Sequence, residues 1–233
     1  MALVVQKTMG FIYFDEFLNT SLDSRWEILP TNASSRFVTS TPGKLSIRHG
    51  NVPAYTFFSE LTTTMQFVID VKCTYNPTTD DDRAGIIVFA HYDDYITLEQ
   101  FYDVATHTSQ AHNFIRLIRD YNTYYAYYSD DGIVWNVIGS QDFDRLAPKI
   151  GLYIKGTNGS NFDVDYVKIY KTPKITINNL TPGIKVELFK DDDTLIETKI
   201  CRSTDTEVKF DVFGYEYPIY GKFKITISRS SIV

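Results

Sequence analysis

The chain is 233 residues long with a formal net charge of −6, and 43% of its residues are hydrophobic, enough for packed cores in one large or two smaller domains. The acidic excess lies in the first 172 residues and the rest is charge-balanced; neither part carries a basic stripe, which argues against nucleic-acid binding through phosphates. No stretch reaches the roughly 20 apolar residues of a membrane-spanning helix.

Residues 1–10 hold one basic residue, Lys7, and a short apolar run at 2–5, too short for the apolar region of a signal peptide. The expectation is a protein not exported through a cleaved signal. Phe11-Ile12-Tyr13-Phe14 is a short strand, and 15–26 a turn-rich loop ending on Trp26. Residues 43–48 alternate, with Leu45 and Ile47 inward. Residues 65–75 give the clearest period of two, with Met65, Phe67, Ile69, Val71, Cys73 and Tyr75 on one face. Strands follow at 83–91, 95–102 and 113–120, with a polar, irregular stretch at 104–112. Tyr124-Tyr125-Ala126-Tyr127-Tyr128 then forms one arm of a hairpin. Asp131-Gly132 supplies the turn, because glycine takes the positive φ a primed turn needs, and Ile133 begins the second arm. Strands at 149–155 and 162–170 close the set. No segment shows helical periodicity over ten residues.

Thr172-Pro173 marks a boundary. Five short strands are predicted beyond it, at 174–177, 184–189, 194–200, 208–212 and 221–228, separated by turn signals such as Thr181-Pro182-Gly183. The fold class is all-β: an antiparallel jelly-roll β-sandwich over 1–172, then a small β-sandwich over 173–233. A unit this small is marginal alone and is expected to need the first domain or a partner. Cys73 and Cys201 fall in different domains, so neither a disulfide framework nor a zinc motif is expected, and Cys73 reads as a buried free thiol.

Ordered motifs over residues 10–171 resemble the concanavalin A-like lectin/glucanase sandwiches, most closely the accessory domain at the C-terminus of family 43 β-xylosidases. They are Phe14-Asp15-Glu16-Phe17 with Leu22-Asp23 and Trp26; Gly43-Lys44-Leu45-Ser46-Ile47; Arg83-Ala84-Gly85-Ile86 followed by Tyr92-Asp93-Asp94-Tyr95-Ile96; Tyr128-Ser129-Asp130-Asp131-Gly132 with Trp135; and Lys149-Ile150-Gly151-Leu152 with Val164-Asp165-Tyr166-Val167. The resemblance implies a fold that hosts glycanases, sugar-binding modules and inactive accessory domains. The acidic catalytic motifs of the family's glucanases are missing, so no enzyme activity is expected.

The carboxylates that cluster, such as Asp80-Asp81-Asp82 and Asp130-Asp131, sit in turns and read as backbone caps. The resemblance implies a structural calcium site where first and last strands meet, with Asp15, Glu16, Asp163 and Asp165 as its oxygen ligands. The alternative is that Asp15 and Asp165 bind local backbone. His49, His91, His107 and His112 show no metal-ligand spacing. Ser129, Asp131 and Trp135 read as the brace of a turn. Glycan binding needs aromatic faces and a few polar groups. Tyr124/Tyr128 and Tyr125/Tyr127 lie on opposite faces of one strand, so one pair points away from the core. Tyr125 and Tyr127 are the candidates, joined by Tyr102, His107, Tyr121 and Asn122.

Two functions are expected. The first is a non-catalytic bacteriophage virion protein, a capsid decoration, neck or tail component, located in the virion. Its lectin-like domain would face host cell-surface polysaccharide and its C-terminal domain would dock other virion proteins. The alternative is a bacterial carbohydrate-binding or accessory module of a glycoside hydrolase. No nucleic-acid or membrane partner is expected.

Overall fold

The computed structural model describes residues 4–8, 11–39, 41–50, 52–58, 66–103, 105, 108–145, 147–156, 161–171, 174–190, 193, 195–202, 204–211 and 223–229. In chain order the strands are β1 (Val4–Thr8), β2 (Phe11–Asp15), β3 (Trp26–Leu29), β4 (Phe37–Val38), β5 (Leu45–Ile47), β6 (Ala54–Phe58), β7 (Gln66–Thr74), β8 (Arg83–His91), β9 (Asp94–Asp103) and β10 (Thr108–Gln110). They continue with β11 (Phe114–Asp120), β12 (Thr123–Ser129), β13 (Asn136–Asp142), β14 (Lys149–Lys155), β15 (Phe162–Tyr170), β16 (Lys174–Asn178), β17 (Ile184–Lys190), β18 (Leu195–Ile200), β19 (Glu207–Asp211) and β20 (Phe223–Arg229). A 3-10 turn over Thr31–Arg36 is the helical element among the described residues. The all-β class expected from the alternating patterns is what the chain adopts.

Two compact units result. The larger, Phe11–Tyr170, stacks two antiparallel sheets. One has six strands in the order β10-β9-β8-β14-β6-β3; the other runs β13-β12-β11-β7-β15-β5-β4, with β2 also on β15. Strand alternation sends one face of each sheet into a shared core. Phe58, Ile86, Val88, Leu98, Ile150 and Leu152 enter it from the six-stranded sheet, and Leu45, Phe67, Ile69, Val71, Leu117 and Val167 from the other. Fully burying side chains of this size contributes about 1.5–3 kcal/mol each, so this core dominates the unit's stability. Cys73 is buried and free, and burial pushes its thiol up to about 12. Met65 lies outside the described residues.

The predicted division at residue 172 is revised at the other end of the chain. The smaller unit joins Lys171–Val233 to Met1–Gly10. β1 pairs antiparallel with β16, Val4 opposite Asn178 and Thr8 opposite Lys174. The unit has two three-stranded sheets, β1-β16-β19 and β18-β17-β20, around Ile175, Ile177, Val186, Leu188, Cys201 and Phe210. The support that so small a unit requires includes a strand from the opposite end of the same chain.

Candidate functional site

The Tyr-rich strand β12 settles which ring pair faces the core. Tyr124 is buried in the main core and Ala126 packs against it. Tyr128, on the same face, stacks on His112 with ring centroids 3.8 Å apart. Tyr125 and Tyr127 therefore point to the outer face, as the period of two demands. That face is largely covered by the protein itself. Arg116, opposite Tyr127 on β11, is 2% exposed and donates to both oxygens of Asp70 at 2.5 and 2.8 Å. Tyr170 donates to the same carboxylate at 2.8 Å. The Trp135 ring lies 3.7 Å from the guanidinium carbon. Tyr127 is buried and Tyr125 half-buried, so the expected glycan pair sits beside a finished structural cluster.

The turn that delivers Trp135 is longer than a two-residue hairpin. Ser129 donates to Asp131 Oδ1 at 3.0 Å and accepts the Gly132 N–H at 2.9 Å. The same carboxylate oxygen accepts the N–H groups of Ile133 and Val134 at 2.8 and 2.9 Å. These donors, the two backbone ones first, hold the Asp131 carboxyl below its ordinary range. Gly132 takes φ +73°, and a Cβ there would meet the Phe114 ring at 3.1 Å. With their N–H groups on Asp131, Ile133 and Val134 do not begin the second arm, which starts at Asn136, and both side chains are exposed.

The other glycan candidates are not brought together. Tyr102 is half-buried near the end of β9, two residues beyond Gln100, whose amide donates to the His112 carbonyl just before β11. Tyr121 is exposed in the turn after that strand, at φ +53°, with half-buried Asn122 next to it. Seven residues at about 3.3 Å each separate the two ends. His107 lies outside the described residues.

Nor does the calcium set assemble. Asp15 accepts the Phe17 N–H at 2.8 Å, the Tyr13 hydroxyl at 2.5 Å and the Trp26 indole at 3.2 Å. Burial, then the hydrogen bond to Asp15, pushes the Tyr13 phenol well up, so it stays a donor. Asp15 is opposite Val167 and shares the core side with Tyr13, whereas Asp163 and Asp165 alternate with buried Phe162 and Val164. Lys44 and Ser46 engage Asp163, and Lys72 lies 2.9 Å from Asp165. Glu16 is exposed. Among the described residues no three His, Cys, Asp or Glu side chains gather as metal ligands. Asp15 instead ties β2 to the following loop and to Trp26, while Asp163 and Asp165 tie β15 to the β5 segment and to β7.

A different aromatic surface stands on the outer face of the six-stranded sheet. Tyr55, Phe57, Ile87, Phe89 and Tyr153 form a cluster separate from the main core. Tyr153, Tyr55 and Phe57 follow one another at 6.4 and 5.9 Å with interplanar angles of 21° and 12°, a nearly flat floor. Tyr92, from the turn between β8 and β9, stands edge-on to Phe89 at 5.4 Å and to Tyr55 at 6.4 Å. Tyr95 is opposite Phe89 in the ladder. Tyr92 is 53% and Tyr95 45% exposed. Burial, then the phenols of Tyr95 and Tyr92, pushes the Tyr55 hydroxyl up. Polar groups lie alongside: Glu99 accepts from Tyr153, from Thr97 at 3.0 Å and from Arg83 at 3.2 Å. Burial first and Glu99 second raise the Tyr153 phenol far above its ordinary value. The arrangement offers ring faces for the C–H surface of a sugar and a fixed carboxylate and guanidinium for hydroxyls. Glu99, bound by three donors, is built to accept hydrogen bonds.

Sequence reasoning missed this surface. Its signal was the inward phase of Leu98 and Gln100, which sends Tyr95, Thr97 and Glu99 outward together. The strand over residues 54–58 shows no alternation, because both of its faces are buried.

Residues 14–111 match the family described as the beta xylosidase C-terminal concanavalin A-like domain. Solved structures share the fold. Xylan beta-1,4-xylosidase from Bacillus halodurans C-125 superposes with a TM-score of 0.57 at 15% identity, over 68% of this chain and 38% of that one. The GH43 BlXynB protein from Bacillus licheniformis gives 0.55 at 17%, over 68% and 39%. Bacteroides ovatus Xyloglucan PUL GH43B gives 0.58 at 14%, over 67% and 38%. This chain thus spans about two-fifths of the length of those proteins. No curated protein matches it. The sandwich is thus similar to the C-terminal concanavalin A-like domain of beta xylosidases.

Proposed function

We propose that this protein is a non-catalytic carbohydrate-binding accessory module whose sandwich takes a β-1,4-linked polysaccharide of the xylan type on the outer face of the six-stranded sheet. The exposed rings of Tyr92 and Tyr95 carry the sugar, Tyr55 and Phe89 support them from beneath, and Arg83 and Glu99 meet hydroxyls. The observation that carries the reading is the pair of half-exposed phenols over an aromatic floor, beside a held carboxylate. Support for the substrate class comes from the family match and from the xylan beta-1,4-xylosidase that shares this fold over 38% of its length. A retaining or inverting glycosidase needs two carboxyl groups flanking the scissile bond; Glu99 is tied to Tyr153, Thr97 and Arg83, and the reading assigns it no catalytic role. The virion reading draws on sequence arguments alone, whereas the similar proteins favour the accessory module.

Affinity electrophoresis and calorimetry on xylan and arabinoxylan test it. The expected result is retardation of the full chain, weakened about tenfold by Tyr92→Ala or Tyr95→Ala and unchanged by Tyr125→Ala. Absence of binding, or full binding by the Tyr92/Tyr95 double variant, overturns it.

A further inference from the structure

The eight-stranded sheet ends on β13, and this edge lacks most of the features that keep a sheet edge from pairing. β10 and β3, which end the six-stranded sheet, have three and four residues, and β4, at the far end of the eight-stranded sheet, has two. β13 has seven, each of them exposed, and among the described residues it pairs with β12 alone. Short edges, charged side chains and proline are the usual protections. Residues 136–141 contain no charge and no proline. Val137 and Ile138 are 55% and 54% exposed, and Ile133 and Val134 of the preceding turn are exposed as well. One protective feature is present, a bulge at Ile138, opposite the step from Ala126 to Tyr127. Beyond it Gly139, Ser140, Gln141 and Asp142 run in unbroken register opposite Ala126, Tyr125, Tyr124 and Thr123.

The free N–H and C=O groups of such an edge are a template for another strand. The stretch after the bulge fits a copy of itself. Tyr124 and Ala126 face the core, so Gly139 and Gln141 are on the inner side and Ser140 and Asp142 on the outer. An antiparallel copy related by a two-fold axis centred on Ser140 or on Gln141 sets inner residues opposite inner ones. Asp142, the one charge of the strand, then meets Ile138 or Ser140 of the second copy and never its own counterpart. Like charges directly opposite would resist pairing, and the strand avoids them.

We propose that β13 pairs with β13 of a second copy of this chain, joining the two eight-stranded sheets into one across a two-fold axis. Seven residues at about 3.4 Å each give a contact about 24 Å long. Contacts of that kind lie at the small end of specific interfaces, so the dimer forms and dissociates with concentration. A two-fold contact is self-complementary and closed, so assembly stops at two chains. The inference stands apart from the glycan reading, because β13 belongs to the other sheet from Tyr92 and Tyr95.

Sedimentation equilibrium of the full chain, from about 5 µM to about 500 µM, tests it. The expected result is a mass rising from one chain to two. Ser140→Lys combined with Gln141→Lys places like charges on the axis in either register and should weaken the dimer at least about tenfold. The melting temperature of the dilute variant should hold, since both positions are exposed. Should that variant unfold, Ser140→Cys and Gln141→Cys decide the matter. Residues directly opposite in an antiparallel pair have Cα atoms about 4.5–5.5 Å apart, within the span of a disulfide. The one on the axis should therefore cross-link two chains under mild oxidation, with the buried Cys73 and Cys201 left out of reach. A monomer at every concentration, growth beyond the dimer, a dimer indifferent to the lysine pair, or no cross-link from either cysteine overturns the proposal.

Discussion

Burying Arg116 is costly, since its charge lies in the sheet with 2% exposure. Asp70 neutralises it in a two-bonded pair, and Tyr170 satisfies Asp70 further. Breaking a buried pair by removing one partner costs about 3–5 kcal/mol, whereas replacing both by apolar groups can be neutral. Asp70→Asn is therefore expected to lower the urea midpoint strongly, and Asp70→Leu combined with Arg116→Met to restore most of it. Acid stability is also decided at single residues. The Arg25 side chain, then the Arg25 N–H, hold the Asp23 carboxyl down to about 2. Burial of Asp82 opposes its ionisation, but donors from Thr78 and Thr79 outweigh it and lower its value. Both folded values lie below the unfolded ones near 4, so their stabilisation is complete above about pH 4 and is lost as pH falls towards 2. Denaturation midpoints measured from pH 7 to 2 should stay level and then drop in that window. The drop should be shallower in Asp82→Asn.

At the scale of elements, β14 shows how closely strands approach in the six-stranded sheet. A Cβ on Gly151 would lie 1.7 Å from the Thr56 carbonyl oxygen of β6. Gly151→Ala must push those strands apart beneath Phe57, and a loss of at least about 2 kcal/mol is expected in chemical denaturation. Loosening the aromatic floor should weaken xylan binding as well. The hairpin β12–β13 makes a complementary point. Its turn was legible as Asp-Gly between apolar runs, but the length of the loop was not. The Asp131 carboxylate captures two N–H groups that a strand would have used, and local patterning does not report that competition.

The whole chain is assembled from two units of unequal independence. Phe11–Tyr170 holds a continuous core and is expected to fold when expressed alone. Lys171–Val233 shares its first sheet with β1, which covers one edge of β16. Removing residues 1–10 should abolish amide-exchange protection in β16 and β19 while leaving the protection of β7, β8 and β15 unchanged. A protected 171–233 fragment without β1 would contradict this.

Alternation and turn chemistry, which act over a few residues, were sufficient to read β7, β8, β14 and β15, the absence of long helices among the described residues, and the brace formed by Ser129, Asp131 and Trp135. They also showed that one tyrosine pair of β12 must leave the core. Local sequence carried no information on what would then cover that pair. Arg116, Asp70, Tyr170 and Trp135 come from four separate segments, and together they close the outer face of one sheet. Tyr55, Tyr92 and Tyr95 meet on the other sheet only because β6, β8 and β9 reach a single face through β14. The partner of β1 likewise lies beyond the entire sandwich in sequence. Strand pairing and solvent exposure at such separations follow from the summed burial of both cores, so the tertiary structure alone decided which aromatic surface is left in water.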